Sequence, residues 1–260
     1  MTQKTYNGIK LQLPCLPFQK KIASILSAYD NLIENNNKRI KLLVKMAEEL
    51  YKEWFVRFRF PGHENVKMVD GIPDGWHYER LGDFATILMG QSPESHYYNS
   101  NFQGLPFHQG VGSYGEFYLV DNEYSSKGNK IAAPNSIIFS VCAPVGRINL
   151  TLNRIILGRG VAAINARNNK NGFLLWTLKN KFSKEDSIGN GAVFTSVTRK
   201  ELEKQKLIVP SNLILDCFDK IANRLEGGIR RLPLANSVLT QQRDRLLPRL
   251  MSGKLEIKLS

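Results

Sequence analysis

The side chains in this sequence best equipped to grip a partner are bases, and they are unevenly spread. Residues 124–184 hold ten of them (Lys127, Lys130, Arg147, Arg154, Arg159, Arg167, Lys170, Lys179, Lys181 and Lys184) and no aspartate or glutamate. The preceding stretch, 70–123, holds eight acids against one base, Arg80. Over all 260 residues the balance is +13. A surface of one sign is what neutralises a phosphate backbone, so the excess points to nucleic acid first and a membrane surface second. The alternative is a solvated face whose charge balances the acidic third after folding.

Within this pattern Lys127, Lys130, Arg199 and Lys200 suit phosphate positioning. For Arg199 and Lys200 the competing reading is ordinary solvated charge in the first turn of a helix. Arg147 and Arg159 suit base edges or phosphates, because a guanidinium donates two parallel hydrogen bonds to guanine. Each could instead bridge turn carbonyls within its glycine-flanked motif. Gln91, Ser92 and Tyr114, on polar glycine-containing loops, are further candidates, since loops on a rigid frame are where reading groups sit.

Other chemistry is missing from the sequence. Gly110–Gly115 matches GxGxxG, but no apolar strand precedes it and no helical pattern follows, so it reads as a surface loop. No P-loop motif occurs, nor the Asn/Asp-Pro-Pro-aromatic tetrapeptide expected of a chain that methylates an amino group on a flipped base. His63, His77, His96 and His108 lack metal spacing and read as surface or satisfied core residues. Asp216 and Asp219 read as charge at a helix N-terminus. Cys15, Cys142 and Cys217 lie far apart, which suits a reducing cytosol and a cytoplasmic protein. No run of 18 apolar residues exists and the first residues lack a signal-peptide core, so no membrane association is expected. No catalytic residue and no metal site are expected in this chain.

The elements that must position the bases come in a repeated frame. From Ile22 a seam runs at spacings of four and three through Leu26, Tyr29, Ile33, Asn36, Ile40, Leu43, Ala47, Leu50 and Trp54. That 3.5-residue period predicts a long helix packing on another helix as in a coiled coil, with Asn36 a buried polar position able to fix register or an asparagine exposed at a crossing. Pro17 suits its first turn, and Phe60-Pro61-Gly62 is expected to stop it. Trp54 and Phe55 would seal its end or meet a partner. Adding 196 to each position gives a second seam: Phe218, Ala222, Leu225, Ile229, Leu232, Asn236, Leu239, Arg243, Leu246 and Leu250. Upstream, 10–14 falls on 206–210, so strand, proline and long helix recur around one insert. Gly227-Gly228 and Pro233 predict a kink or break between about residues 227 and 234. Two such helices can pack antiparallel.

The insert reads as mixed α/β, with strands at 84–89, 136–143, 145–152, 161–165 and 206–209. An amphipathic helix is expected over 173–182, and a capping box, Thr198 with Glu201, opens another. Polar glycine loops fall at 90–93, 110–115, 158–160 and 189–191.

These residues together resemble the DNA-specificity (S) subunit of type I restriction-modification systems. The stretches that carry the resemblance are 13–23, 47–55 with 59–62, 71–76, 142–148, 158–160 and 243–253. The resemblance implies an α+β fold: one mixed α/β target-recognition domain flanked by two long helices packing as an antiparallel coiled coil. It places the remnant of an upstream recognition domain at 1–17, the first spacer helix at 18–60, the recognition domain at 61–210 and the second spacer helix at 211–260. That is one recognition domain where the family plan has two, a half-length form. The implied function is to read one half of a bipartite target in double-stranded DNA and to dock methyltransferase (M) subunits, and restriction (R) subunits where present, without catalysis by this chain. S-adenosylmethionine and ATP would be carried by those partners, not here. The second half-site would be read by a homodimer partner or another half S subunit. The competing implication is a truncated S fragment that only dimerises or sequesters partners.

Overall fold

A computed structural model of the chain describes residues 15–182 and 196–252. The first copy of the repeated strand (10–14), Lys184, the 189–191 loop and Gly253 lie outside the described residues. The chain divides into two compact units, Met1–Lys45 with Leu225–Ser260, and Met46–Arg224.

Among the described residues the first unit is built from two helices, most of α1 (Leu16–Tyr51) and most of α4 (Asn212–Met251). With no glycine or proline between residues 18 and 56, α1 runs 36 residues, about 54 Å. Its pairing with α4 is antiparallel. Leu43 meets Gly228, Asn36 Nδ2 donates to Asn236 Oδ1 (2.8 Å), and Arg243 pairs with Asp30 (2.6 Å). Numbers rise on one helix as they fall on the other. Along the seam Ile22, Ile40, Ile229 and Leu250 are buried, while Leu26, Tyr29, Ile33, Leu43, Leu225, Leu232, Leu239 and Leu246 are half-buried. A two-helix seam cannot enclose its side chains fully, so partial burial is its normal state. Asn36 is half-buried and donates across the interface, which favours the register reading over chance exposure.

The break expected near 227–234 is absent, because α4 passes through Gly227-Gly228 and Pro233 as one helix. Proline costs one backbone bond, but Ile229 and Leu232 on the same stretch pack on the seam. A β-carbon at Gly228 would stand 3.0 Å from Leu43 Cδ1, so this glycine admits close packing.

The second unit begins with the end of α1. The helix stops at Tyr51 and widens into a π-helical turn, Lys52–Val56, closed by Arg57 N–H on the Lys52 carbonyl (2.8 Å). It ends short of the Pro61-Gly62 signal, with Phe58 in the left-handed region (φ 56°). The residues of the wider turn have a physical use: Trp54 and Phe55 are buried, Phe55 lying 4.8 Å from Phe218 and 5.0 Å from Phe173 between ring centroids. Packing, not a partner surface, accounts for both. Leu50 is half-buried and Phe218 buried in this unit.

The strands, in chain order, are β1 (Met68–Val69), β2 (Ile72–Pro73), β3 (His77–Arg80), β4 (Ala85–Met89), β5 (Tyr98–Asn99), β6 (Leu105–His108), β7 (Tyr124–Ser125), β8 (Ile131–Ala132), β9 (Ile137–Ser140), β10 (Ile148–Leu150), β11 (Ile155–Leu157), β12 (Val161–Ala166) and β13 (Lys206–Val209). They form an antiparallel sheet β10-β9-β12-β4 and a mixed sheet β5-β7-β6-β11-β8, with the pairs β1-β2 and β13-β3 beside them. Where a strand was expected to start at 145, Val145–Arg147 instead make the turn between β9 and β10, held by Gly146 N–H on the Ser140 carbonyl (3.0 Å).

Helix α2 (Asn171–Lys181) is buried on every side from Gly172 to Leu178, not amphipathic as its sequence suggested. Short α3 (Arg199–Glu203) opens with the full capping box: Glu201 accepts from the Thr198 backbone and Thr198 from that of Glu201.

Candidate nucleic-acid interface

Three polar loops meet where the two sheets join. Strands β6 and β11 run parallel in the register Leu157↔His108, so the residues that follow, Gln109 and Gly158-Arg159, leave the sheet side by side. The segment 158–160 then leads into β12, whose Ala162 pairs with Met89 at the end of β4. Gly90-Gln91-Ser92 therefore emerges at the same place. Backbone bonds lock the loops: Gly158 N–H to the His108 carbonyl (2.8 Å), Gln91 N–H to Leu157 (2.9 Å) and Gly90 N–H to Val161 (3.0 Å). Approach is so close that a β-carbon at Gly90 would lie 2.1 Å from the Gly158 oxygen, and one at Gly160 2.1 Å from the Gln109 oxygen. Only glycine fits either position.

On this frame Gln91, Gln109 and Arg159 are exposed around a half-buried Ser92. Ser92 Oγ accepts from Arg159 N–H (3.2 Å) and donates to Gln109 Oε1 (3.3 Å). The structure thus brings together three residues that the sequence singled out and adds a fourth, Gln109.

A polar network centred on a buried histidine lies beneath. The His108 side chain is fully buried, with Nδ1 on Ser113 Oγ (2.7 Å) and Nε2 on Asp121 Oδ1 (3.0 Å). Asn153 Nδ2 donates to the other Asp121 oxygen (3.0 Å). Burial opposes the Asp121 charge, yet the hydrogen bonds from His108 and Asn153 prevail and hold its carboxyl below the usual range. The GxGxxG segment is the loop over this network, with a short 3₁₀ turn at Val111–Ser113 and no helix after it.

The remaining candidates fall elsewhere. Tyr114 turns inward against the apolar cluster of Leu119, Ile138, Ile155 and Leu157, and its hydroxyl is buried without a partner. Burial pushes that phenol up, and it offers nothing to a ligand outside; its place as a reading residue is withdrawn. Lys127 is exposed, donating to Tyr97 Oη (3.0 Å) with its ammonium 4.6 Å from that ring's centre. Lys130 is half-buried, and its carbonyl accepts from Leu157 N–H, beside the loop cluster. Arg147 is exposed in the β9–β10 turn, where its N–H donates to Ser140 Oγ (2.8 Å). Arg199 is exposed but engages Glu203 (2.7 Å) through Nε, one turn along α3, and Lys200 is exposed. Of the nine described bases in the acid-free block, Lys127, Arg147, Arg154, Arg159 and Arg167 are exposed and the other four half-buried. Lys179 is set apart: its ammonium lies over Phe117 (4.6 Å), and burial lowers its pKa to about 8.

Among the described residues no cluster of three or more His, Cys, Asp or Glu could hold a metal, and no helix is long and apolar enough to cross a membrane. A scaffold of two repeated helices and a loop-bearing insert therefore presents hydrogen-bonding side chains and positive charge. The chain belongs to the type I restriction modification DNA specificity domain family, which matches residues 1–45 and 73–231. It is 32% identical over 264 residues to the Methanocaldococcus jannaschii protein described as the MjaX specificity subunit of a type I restriction enzyme, and 29% identical over 270 to the MjaIX specificity subunit of the same organism. These alignments cover 99% and 98% of this chain but 62% of each relative, so the chain spans about three-fifths of their length. Among solved structures it is similar to the HsdS subunit of Thermoanaerobacter tengcongensis, with a TM-score of 0.54 and 25% identity over 94% of this chain and 61% of that one. The S subunit from M. genitalium shares the fold at a TM-score of 0.64 and 20% identity, over 93% of this chain and 62% of that one.

Proposed function

We propose that this chain is a sequence-specific DNA-binding subunit, itself non-catalytic, that reads one half of a two-part target. The observation that carries this reading is the convergence of three backbone-locked loops that display Gln91, Gln109 and Arg159 together, at the edge of a block free of acids. Phosphate contacts position a protein on the duplex and base-edge contacts select the sequence. Lys127 and Lys130 serve the first task and the loop cluster the second. A bidentate Arg159–guanine contact would contribute about 1–3 kcal/mol of discrimination.

The paired helices are the surface on which methyltransferase subunits would dock, bringing S-adenosylmethionine and extruding the target base. A motor-nuclease subunit would add ATP-driven restriction. The loop cluster of one insert supports the reading of one half-site. The other half-site then falls to a second copy or to another half subunit, and a homodimer would read a two-fold symmetric, interrupted site. Such work on chromosomal DNA implies cytoplasmic residence.

The test is a DNA mobility shift with purified methyltransferase subunits, over a range of salt. Wild type should select a sequence. Lys127→Ala with Lys130→Ala should weaken binding about equally on every sequence and reduce the slope of log affinity against log salt by about 2. A complex that forms but shows no sequence preference would favour the interaction-only role.

A further inference from the structure

The hydrogen-bond chain across the loop cluster fixes a direction as well as a spacing. A serine hydroxyl has one proton and can accept as it donates. Ser92 Oγ accepts from the Arg159 backbone N–H and so directs its proton to Gln109 Oε1. One lone pair of the exposed Gln109 amide oxygen is therefore engaged and the amide is oriented, with both NH2 protons left to offer. Beneath it the backbone is held firmly: the preceding residue, His108, is clamped at both ring nitrogens, and its carbonyl accepts Gly158 N–H.

We infer that Gln109 is a specificity-determining residue and that Ser92 sets its polarity, so that it presents a donor to the base edge. This rests on the DNA-reading assignment above. A freely turning glutamine reads adenine with both amide atoms, accepting from N6 and donating to N7. Here Ser92 takes one of the two lone pairs of that oxygen, which polarises the amide toward donation and disfavours the adenine pairing. The group it presents, with the exposed arginine of the adjoining loop, is donor-rich. In the major groove guanine alone offers two adjacent acceptors, N7 and O6. The base pair under Gln109 should therefore be read as guanine over adenine.

The experiment is selection from randomised duplexes by the full chain in its methyltransferase complex, with thermal melting of each variant as a check on folding. Wild type should enrich guanine over adenine at one position by about tenfold. Gln109→Ala should bring that ratio to within about threefold at that position alone. Ser92→Ala, which frees the amide oxygen, should admit adenine there, and Ser92→Thr should restore the guanine choice. Gln109→Glu, which can only accept, should shift the choice toward cytosine and its N4–H donors. Base choices identical to wild type in both alanine variants would overturn the inference. So would a Ser92→Ala variant that lowers affinity without changing the choice. Relaxation by Gln109→Ala at a position where wild type selects adenine would keep the residue and overturn the polarity. A wild-type complex with no preference anywhere would remove the DNA-reading assignment itself, and this inference with it.

Discussion

The polar contacts of the paired helices and those of the second unit sit at different depths. Asn36 with Asn236, and Arg243 with Asp30, lie half-exposed along a seam whose buried members are Ile22, Ile40, Ile229 and Leu250. The contacts of His108 with Ser113 and Asp121 are made by a fully buried ring, and the exposed Gln109 follows directly. On the helices apolar burial carries the stability and polar groups choose the register. In the other unit the polar network supports the loops that face outward. Damage in the two places should therefore read out differently.

The largest effect is expected where burial alone acts. Ile229 is 1% exposed on the narrow seam. Ile229→Asp buries an unpaired charge and removes an apolar contact, at a cost of about 3–5 kcal/mol. Circular dichroism should show loss of helix at temperatures where wild type is folded; an unchanged melting curve would mean that the seam does not hold this unit. Next comes Gly160→Ala. Its new methyl group would collide with the Gln109 carbonyl, and the loops would part at a cost of about 2–3 kcal/mol. Sequence preference should fall much further than affinity for random DNA, because Lys127 and Lys130, proposed above to position phosphates, lie on other segments.

These two sites also differ in how far the amino-acid order reveals them. The helices are legible because their signal is local: a 3.5-residue period, its recurrence 196 residues on, and a capping box at Thr198 and Glu201. Strand β13 falls at its expected 206–209 for the same reason. Gln91, Ser92 and Arg159 could be chosen from residue type beside glycine, but Gln109 and His108 could not. Their placement depends on the parallel pairing of β6 and β11, four and three residues long, too short to show a period. The glycines flanking Arg159 were the available clue, since paired glycines invite backbone approach. Tyr114 was misjudged because a polar loop sequence does not say which of its side chains turns inward. The break expected in α4 came from propensity, which tertiary packing overrode.

A third site, within the second unit, makes stability depend on pH. Burial holds Lys179 at about 8, against 10.5 for a free lysine. Below pH 8 the ammonium is charged in both folded and unfolded chains, and the full desolvation cost is present. Between these values the unfolded chain binds more protons, so stability rises with pH and the cost has gone above about 10.5. Its position over Phe117 offsets part of the cost. Lys179→Met should raise stability at pH 7 by about 2 kcal/mol, with the gain vanishing above pH ~10. Denaturant melts at both pH values check this, and a gain that is equal at the two would disprove the linkage.

The smallest effect tests whether the helix asparagines serve register. Asn36 donates to Asn236, which in turn donates to Asn37 (2.8 Å). Asn36→Leu alone leaves the Asn236 oxygen without its donor on a half-buried interface, and should cost about 1 kcal/mol. Replacing both asparagines with leucine removes the unmatched group and extends the apolar seam, so the double variant should be about 1 kcal/mol more stable than wild type. The change of sign from single to double variant is what chemical denaturation would look for. The stabilised double variant should also populate more than one oligomer in sedimentation, because the asparagine pair no longer penalises a slipped alignment. A double variant that is more stable and still forms one defined species would place register in the Arg243–Asp30 pair and in the close approach of Gly228 to Leu43.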